Sequence, residues 1–226
     1  MRRLSTNRIL GSDKVGTVRT HTLIIIALCL VSASASAQDG LYGSTAPEDA
    51  ALVRVINASA GSPDWKVDIG PVSFDSISAL TGTAYRPVQP GIYLIPSGAG
   101  REVLSPARER FYTVIGAGGQ VAIFEEERHT DPARSQLILY NMTSRSLDVF
   151  ADEQNVTLME RVGPRESQTI VINALALVLA AADSDNGQPL DDVTIELVRG
   201  ASYGLVAIDA TTEVRLFVVE AAVASE

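Results

Sequence analysis

Leu52-Val-Arg-Val-Ile-Asn57-Ala-Ser59 returns later in the chain as Leu137-Ile-Leu-Tyr-Asn141-Met-Thr143. Each copy is a β-prone run that ends at Asn, with a small hydroxyl residue two places on. Further along, each half has a tyrosine followed by apolar and β-branched residues: Phe111-Tyr112-Thr-Val-Ile115 and Tyr203-Gly-Leu-Val-Ala-Ile208. The repetition predicts two copies of one small β domain. Asn and Ser/Thr side chains bond their own backbone and tolerate unusual φ, so they suit a strand end that must turn sharply. The repeated Asn is therefore expected to be structural.

Outward from these runs the signals remain those of strands. Trp65, Val67 and Ile69 alternate with Lys66 and Asp68, and the period of two places them on opposite faces. Pro90-Gly91 marks a turn before Ile92 to Ile95. Phe111 to Ile115, Gly116 to Gly119 and Val121 to Phe124 read as a hairpin. Leu175 to Ala182 has the Ala and Leu content of a short helix. Asn186-Gly187 follows it, however, and Asn-Gly between apolar runs is a strong hairpin signal, so a strand is expected. Short strands at about ten-residue spacing point to sandwiches. The expected fold is all-β, with two tandem β-sandwich domains joined by a short linker.

The expected boundaries are a cleaved signal peptide over 1–37, a lead-in over 38–50, a first sandwich over 51–125, a linker over 126–134, a second sandwich over 135–221 and a tail over 222–226. The leader rests on Arg2, Arg3, Arg8, Lys14 and Arg19, then the apolar run Leu23 to Val31, then Ala35-Ser36-Ala37, with cleavage before Gln38. That run is well short of the roughly 20 residues that span a bilayer. The linker rests on Glu125-Glu126-Glu127-Arg128-His129-Thr130-Asp131-Pro132, a charge run closed by Pro. An exposed edge within one domain is the alternative.

The full chain has 18 basic and 27 acidic residues. Five of the basic residues and one of the acidic fall in the leader, leaving 13 and 26 and a net charge of −13. Such a surface repels nucleic acid, anionic lipid and anionic polysaccharide at long range; proteins with basic patches are the expected partners. Cys29 leaves with the leader, so disulfides and thiolate metal sites are excluded from what remains.

Little points to catalysis. A Ser-His-Asp set would have to use His129, the one histidine outside the leader, and there is no Gly-x-Ser-x-Gly elbow. Glu125 to Glu127, Asp148 with Asp152, Asp183 with Asp185, and Asp191 with Asp192 sit beside turns or in charge runs, where carboxylates are normally solvated. Asp183-Ser-Asp185-Asn-Gly187 misplaces the glycine and the last ligand of a calcium loop and reads as a turn. Asn57, Asn141 and Asn155 open glycosylation sequons, two of them on the repeated turn. Trp65, Tyr85, Tyr93, Tyr112, Tyr140 and Tyr203 could line a sugar platform, but most alternate with apolar neighbours, which favours core packing. No catalytic, cofactor or metal residue is expected, and the chain is expected not to be an enzyme.

Leu41-Tyr42-Gly43-x-x-Ala46-Pro47, then Val53-Arg54-Val55-x-Asn57-Ala58, resembles the start of the AlgF family, an accessory component of the alginate O-acetylation machinery. Phe111-Tyr112-Thr113-Val114 and the Leu137 to Asn141 strand fall in the right order, so the resemblance runs from about Asp39 to Glu220; the intervening loops match no motif. It implies a periplasmic, non-catalytic protein of two tandem β-sandwiches that couples a membrane-bound O-acyltransferase to periplasmic acetyltransferases. No family catalytic residues carry over. The alternative is a carbohydrate-binding or adhesin-like module, against which a charge of −13 sets repulsion from any polyuronate. Leu41, Tyr42 and Pro47, apolar residues on a polar lead-in, are candidates for partner contact; folding back onto the first sandwich is the other use for them.

Overall fold

The structure is a computed structural model that describes residues 49–61, 64–151, 156–211 and 213–224. The first half contains β1 (Ala51–Asn57), β2 (Trp65–Ile69), β3 (Val72–Ile77), β4 (Thr81–Gly82), β5 (Arg86–Val88), β6 (Tyr93–Ser97), β7 (Gly100–Leu104), β8 (Phe111–Ala117) and β9 (Gln120–Glu126). The second contains β10 (Arg134–Met142), β11 (Leu147–Ala151), β12 (Val156–Val162), β13 (Ser167–Asn173), β14 (Ala176–Asp183), β15 (Pro189–Glu196), β16 (Ser202–Asp209) and β17 (Val214–Ala221). The described chain is all-β, as the spacing of its apolar runs predicts. In the Leu175 to Ala182 run the strand begins at Ala176, and Asn186-Gly187 lies in the turn between β14 and β15, with Gly187 at φ 69°.

The two halves repeat one topology. β1 runs parallel to β8, which turns back into β9; β10 runs parallel to β16, which turns back into β17. The hairpins β2–β3 and β11–β12 correspond, as do β6–β7 and β14–β15. One difference matters below. In the second half β11 and β14 join the hairpins into a single four-stranded sheet, β12-β11-β14-β15. In the first half β2–β3 and β6–β7 stay separate two-stranded sheets.

Strands β1 and β10 are buried on both faces, which is why each reads as a near-continuous apolar run rather than an alternating one. The period of two sorts their residues. Val53 and Val55 of β1, with Tyr112 and Val114 of β8, face Val67, Ile69, Phe74, Ile95 and Leu104 of the hairpins. Leu137 and Leu139 of β10, with Leu205 of β16, face Leu147, Val149, Leu177 and Leu179. The opposite faces of the two central sheets pack on each other: Ile56, Ile115 and Phe124 meet Ile138, Tyr140, Val206 and Phe217. Three apolar cores thus separate four layers, and all the described residues belong to one compact unit.

The segment between β9 and β10 spans 127–133. The last described residues also tie the halves together. Tyr85 N–H donates to Ala222 O at 2.7 Å, and Ala224 N–H donates to Tyr85 O at 3.0 Å.

Candidate functional site

The charged group of most consequence is Arg54, in the middle of β1 and fully buried. Because β1 alternates, Arg54 leaves the first-half core and points at the second half. Its Nε donates to Thr113 Oγ1 at 2.8 Å, and its Nη2 donates to the Tyr140 hydroxyl at 2.9 Å. Nη2 lies 4.0 Å from Glu126 Oε1. The Tyr140 and Tyr85 hydroxyls both donate to the Glu126 carboxylate. The guanidinium sits over the Tyr85 ring, 4.9 Å from its centroid. Nη1 is buried with no hydrogen-bond partner among the described residues.

Burial opposes charge on Arg54, but Tyr140, Tyr85 and Glu126 around it more than offset that, and its pKa lies above the ordinary value. Burial, reinforced by Glu126, raises both tyrosines. Gly204 of β16 makes the arrangement possible, since a Cβ there would stand 2.9 Å from the Tyr140 ring and 3.2 Å from Arg54 Nη2. Three first-half side chains, Arg54, Thr113 and Glu126, therefore converge on the Tyr140 hydroxyl, and a slip between the sheets would break several bonds at once.

This cluster makes a pH prediction. A tyrosine whose pKa is raised on folding binds its proton more tightly folded than unfolded. Its stabilising effect is whole below the unfolded value near 10 and is lost as pH climbs above it. Urea midpoints should be flat from about pH 8 to 9.5 and then fall, each tyrosine contributing up to about 1.4 kcal/mol per pH unit. Tyr140→Phe should remove about one proton from that slope; an unchanged slope would place the alkaline transition elsewhere.

The repeated Asn turns share one framework of bonds. Asn57 Nδ2 donates to Ile77 O and Asn141 Nδ2 to Val162 O, both at 2.8 Å. Their Oδ1 atoms accept from Ser59 N–H and Thr143 N–H. Leu80 N–H donates to Asn57 O, and Arg165 N–H to Asn141 O. Leu80, Arg165, Ser76 and Arg161 all take positive φ, from 49° to 61°. The tyrosines match too: Tyr112 and Tyr203 hydroxyls accept from Ala107 and Val198 N–H. Each Asn thus ties the end of its strand to the following hairpin, and each is nearly devoid of solvent contact, so neither sequon presents an accessible amide. Asn155 lies outside the described residues.

The carboxylates considered from sequence are mostly engaged. Asp148 accepts from Arg161 N–H and Ser184 Oγ, Asp183 accepts from Asp185 N–H and pairs with Arg145, and Asp191 accepts from Leu216 N–H. Glu126 corrects the expectation of a solvated charge run: it is the last residue of β9, buried against the second half. His129 is also buried, its Nε2 2.9 Å from Arg134 O. The structure brings none of these together with a nucleophile at His129. Among the described residues no cluster of His, Cys, Asp and Glu could hold a metal ion, and no helix is long and apolar enough to cross a membrane. Tyr85, Tyr112, Tyr140 and Tyr203 are buried and line no platform. Leu41, Tyr42, Pro47 and Asp152 lie outside the described residues.

At the turn end, a groove of about 400 Å³ runs between the halves, lined by Ser59, Ala60 and Gly118 on one side and Met142, Asp209 and Thr211 on the other. Next to it, Trp65, Asp64 and Gln120 line a smaller one of about 260 Å³.

A family model described as alginate O-acetyl transferase AlgF matches residues 24–204, most of the chain. The chain belongs to the AlgF family. It is 27% identical over 175 residues to the alginate biosynthesis protein AlgF of Pseudomonas syringae pv. tomato, covering 76% of this chain and 78% of the relative. It is 25% identical over 167 residues to AlgF of Pseudomonas fluorescens, covering 73% and 76%. The solved C-terminal domain of AlgF from P. aeruginosa aligns with 39% of this chain and 98% of its own, at 18% identity and a TM-score of 0.35. The family match embraces both copies of the AlgF strand repeat, so the duplicated turn and the buried Arg54 lie inside the shared region.

Proposed function

We propose that this chain is a non-catalytic periplasmic adaptor for O-acetylation of alginate or a related exopolysaccharide, coupling a membrane-bound O-acyltransferase to periplasmic acetyltransferases. Membership of the AlgF family supports a role in alginate biosynthesis and acetylation. The observation that carries the adaptor reading is the employment of His129. It is the one histidine beyond residue 37, its ring is held on a backbone carbonyl in a buried site, and among the described residues no hydrogen bond joins it to a Ser, Thr or Cys side chain that it could activate. The two outermost layers also differ in chemistry: Leu94 and Val103 stand exposed on one, Asp192 and Glu196 on the other. Two unlike faces suit two unlike partners, and holding both raises their effective concentration.

Deleting the gene should abolish acetylation while polymer is still made, as read from the O-acetyl content of purified polysaccharide. Wild-type acetylation in the deletion would sink the proposal. A folded His129→Ala chain should restore acetylation; failure to do so would favour an acyltransfer role for the chain itself.

A further inference from the structure

We infer that the outer face of the β6–β7 hairpin is a docking surface for a protein partner whose contact area is aliphatic at its centre and rich in carboxylates at its rim. The inference rests on the adaptor reading and names one of its surfaces. Seven large hydrophobic side chains are exposed among the described residues; two of them, Leu94 (52% exposed) and Val103 (58%), lie on this one hairpin, and a third, Ile92 (75%), directly precedes β6. Leu94 and Val103 are directly opposed across the two strands, and Pro96 opposes Arg101. Period two puts all four on one face, while Ile95 and Leu104 on the other are buried in the first-half core. Scattered exposed aliphatics need no explanation, but a contiguous group does.

The local charge at the patch is opposite in sign to the net charge that favours basic partners elsewhere on the surface, and it points to what covers the patch. Lys66, Arg110 and Arg165 of the surrounding surface are each in an ion pair. Arg101, on the patch, and Arg108, in the loop that follows β7, have no carboxylate partner among the described residues. Outside the leader, acidic residues outnumber basic ones two to one, so these arginines are not unpaired for want of carboxylates. An aliphatic centre with the free Arg101 guanidinium beside it complements an apolar surface bordered by Asp and Glu. The hairpin is also free of the strand pairing that locks its counterpart β14–β15 into a larger sheet.

The test places a photo-crosslinking residue, benzoylphenylalanine, at position 94 of the full chain in polymer-producing cells, identifies the adduct and measures its binding in purified form. The expected adduct is a different protein. Arg101→Glu should weaken binding about tenfold or more, added salt should weaken it too, and changing a partner carboxylate to Lys should restore it to Arg101→Glu. Leu94→Asp and the milder Val103→Ser should leave the melting temperature within about 2 °C, since both face outward. Adducts only with a second copy of the chain, adducts only with lipid, or normal binding by Arg101→Glu would each overturn the inference. Acetylation separates the two proposals. If deletion has no effect, the adaptor reading fails; if deletion abolishes acetylation but the Leu94→Asp/Arg101→Glu chain restores it fully, only this surface is wrong.

Discussion

Arg54→Ala is expected to destabilise the protein by about 3–5 kcal/mol, because removing one member of a buried ion pair leaves the other charge uncompensated. Here the loss reaches further than a pair. Thr113, Tyr140 and Glu126 all orient on the guanidinium, and without it the Glu126 carboxylate keeps only its two tyrosine donors. For a chain of this size the drop in melting temperature should be on the order of 10 °C. Glu126→Ala should cost a similar amount, and the two losses should be strongly non-additive. The informative variant is the double replacement Arg54→Met/Glu126→Leu, which removes both charges while keeping volume. It should recover much of the stability, since apolar replacement of a whole buried pair is often neutral or better. The second half already shows that an apolar side chain serves in this setting: in β10 the residue between the core-facing Leu137 and Leu139 is Ile138, packed in the shared core. Chemical denaturation of the four proteins decides the matter. A single Arg54→Ala loss below about 1 kcal/mol would mean that solvent reaches the guanidinium and that the cluster is not a lock.

Asn141→Ala should be the more damaging of the two turn substitutions, by about 1–2 kcal/mol over Asn57→Ala. Both amides brace a following hairpin, but Asn141 makes more bonds. Its Nδ2 donates to Arg145 O as well as Val162 O, and its Oδ1 accepts from both the N–H and the hydroxyl of Thr143. Asn57 has one bond from each end of its amide, to Ile77 O and from Ser59 N–H. Loss of Asn141 strands the buried Val162 O and the buried N–H and hydroxyl of Thr143, whereas loss of Asn57 strands the buried Ile77 O, and the desolvation cost of such a group exceeds the net value of the bond itself. Thermal melts of the two variants side by side would reveal the asymmetry; equal losses would mean that the Thr143 and Arg145 bonds are made with solvent-competent groups.

The strand content was legible because it depends on local pattern. Trp65 to Ile69 alternates as read, the Gly118-Gly119 turn closes β8 on β9, and the repeated Asn sits on a turn with its amide facing inward. The meaning of Arg54 and Glu126 was not legible from local pattern, since both are buried by a layer contributed from elsewhere in the chain. One signal was available. Ala51 to Ile56 is apolar but for Arg54, and a continuous apolar run marks a strand covered on both sides. A charge in the middle of such a strand must be buried and therefore needs a partner of opposite sign. Glu126 was hidden in the opposite way, by neighbours Glu125 and Glu127 that make it look like part of a solvated run. Its position at the end of β9, next to the Phe111 end of β8, is a fact of pairing that spacing does not carry.

The stacking of four layers fixes a length. Packed sheets lie about 10 Å apart, so the outer hairpin face and the outer face of β12-β11-β14-β15 are held roughly 30 Å from each other. The middle joint is set by a buried ion pair, a core of packed aliphatics and a C-terminal segment fastened along Tyr85. Proteins seated on the two ends would be kept at a set span and a set angle, like fittings on a rigid strut. Lengthening the 127–133 connection should therefore change that span little, because the joint and not the connecting chain determines it.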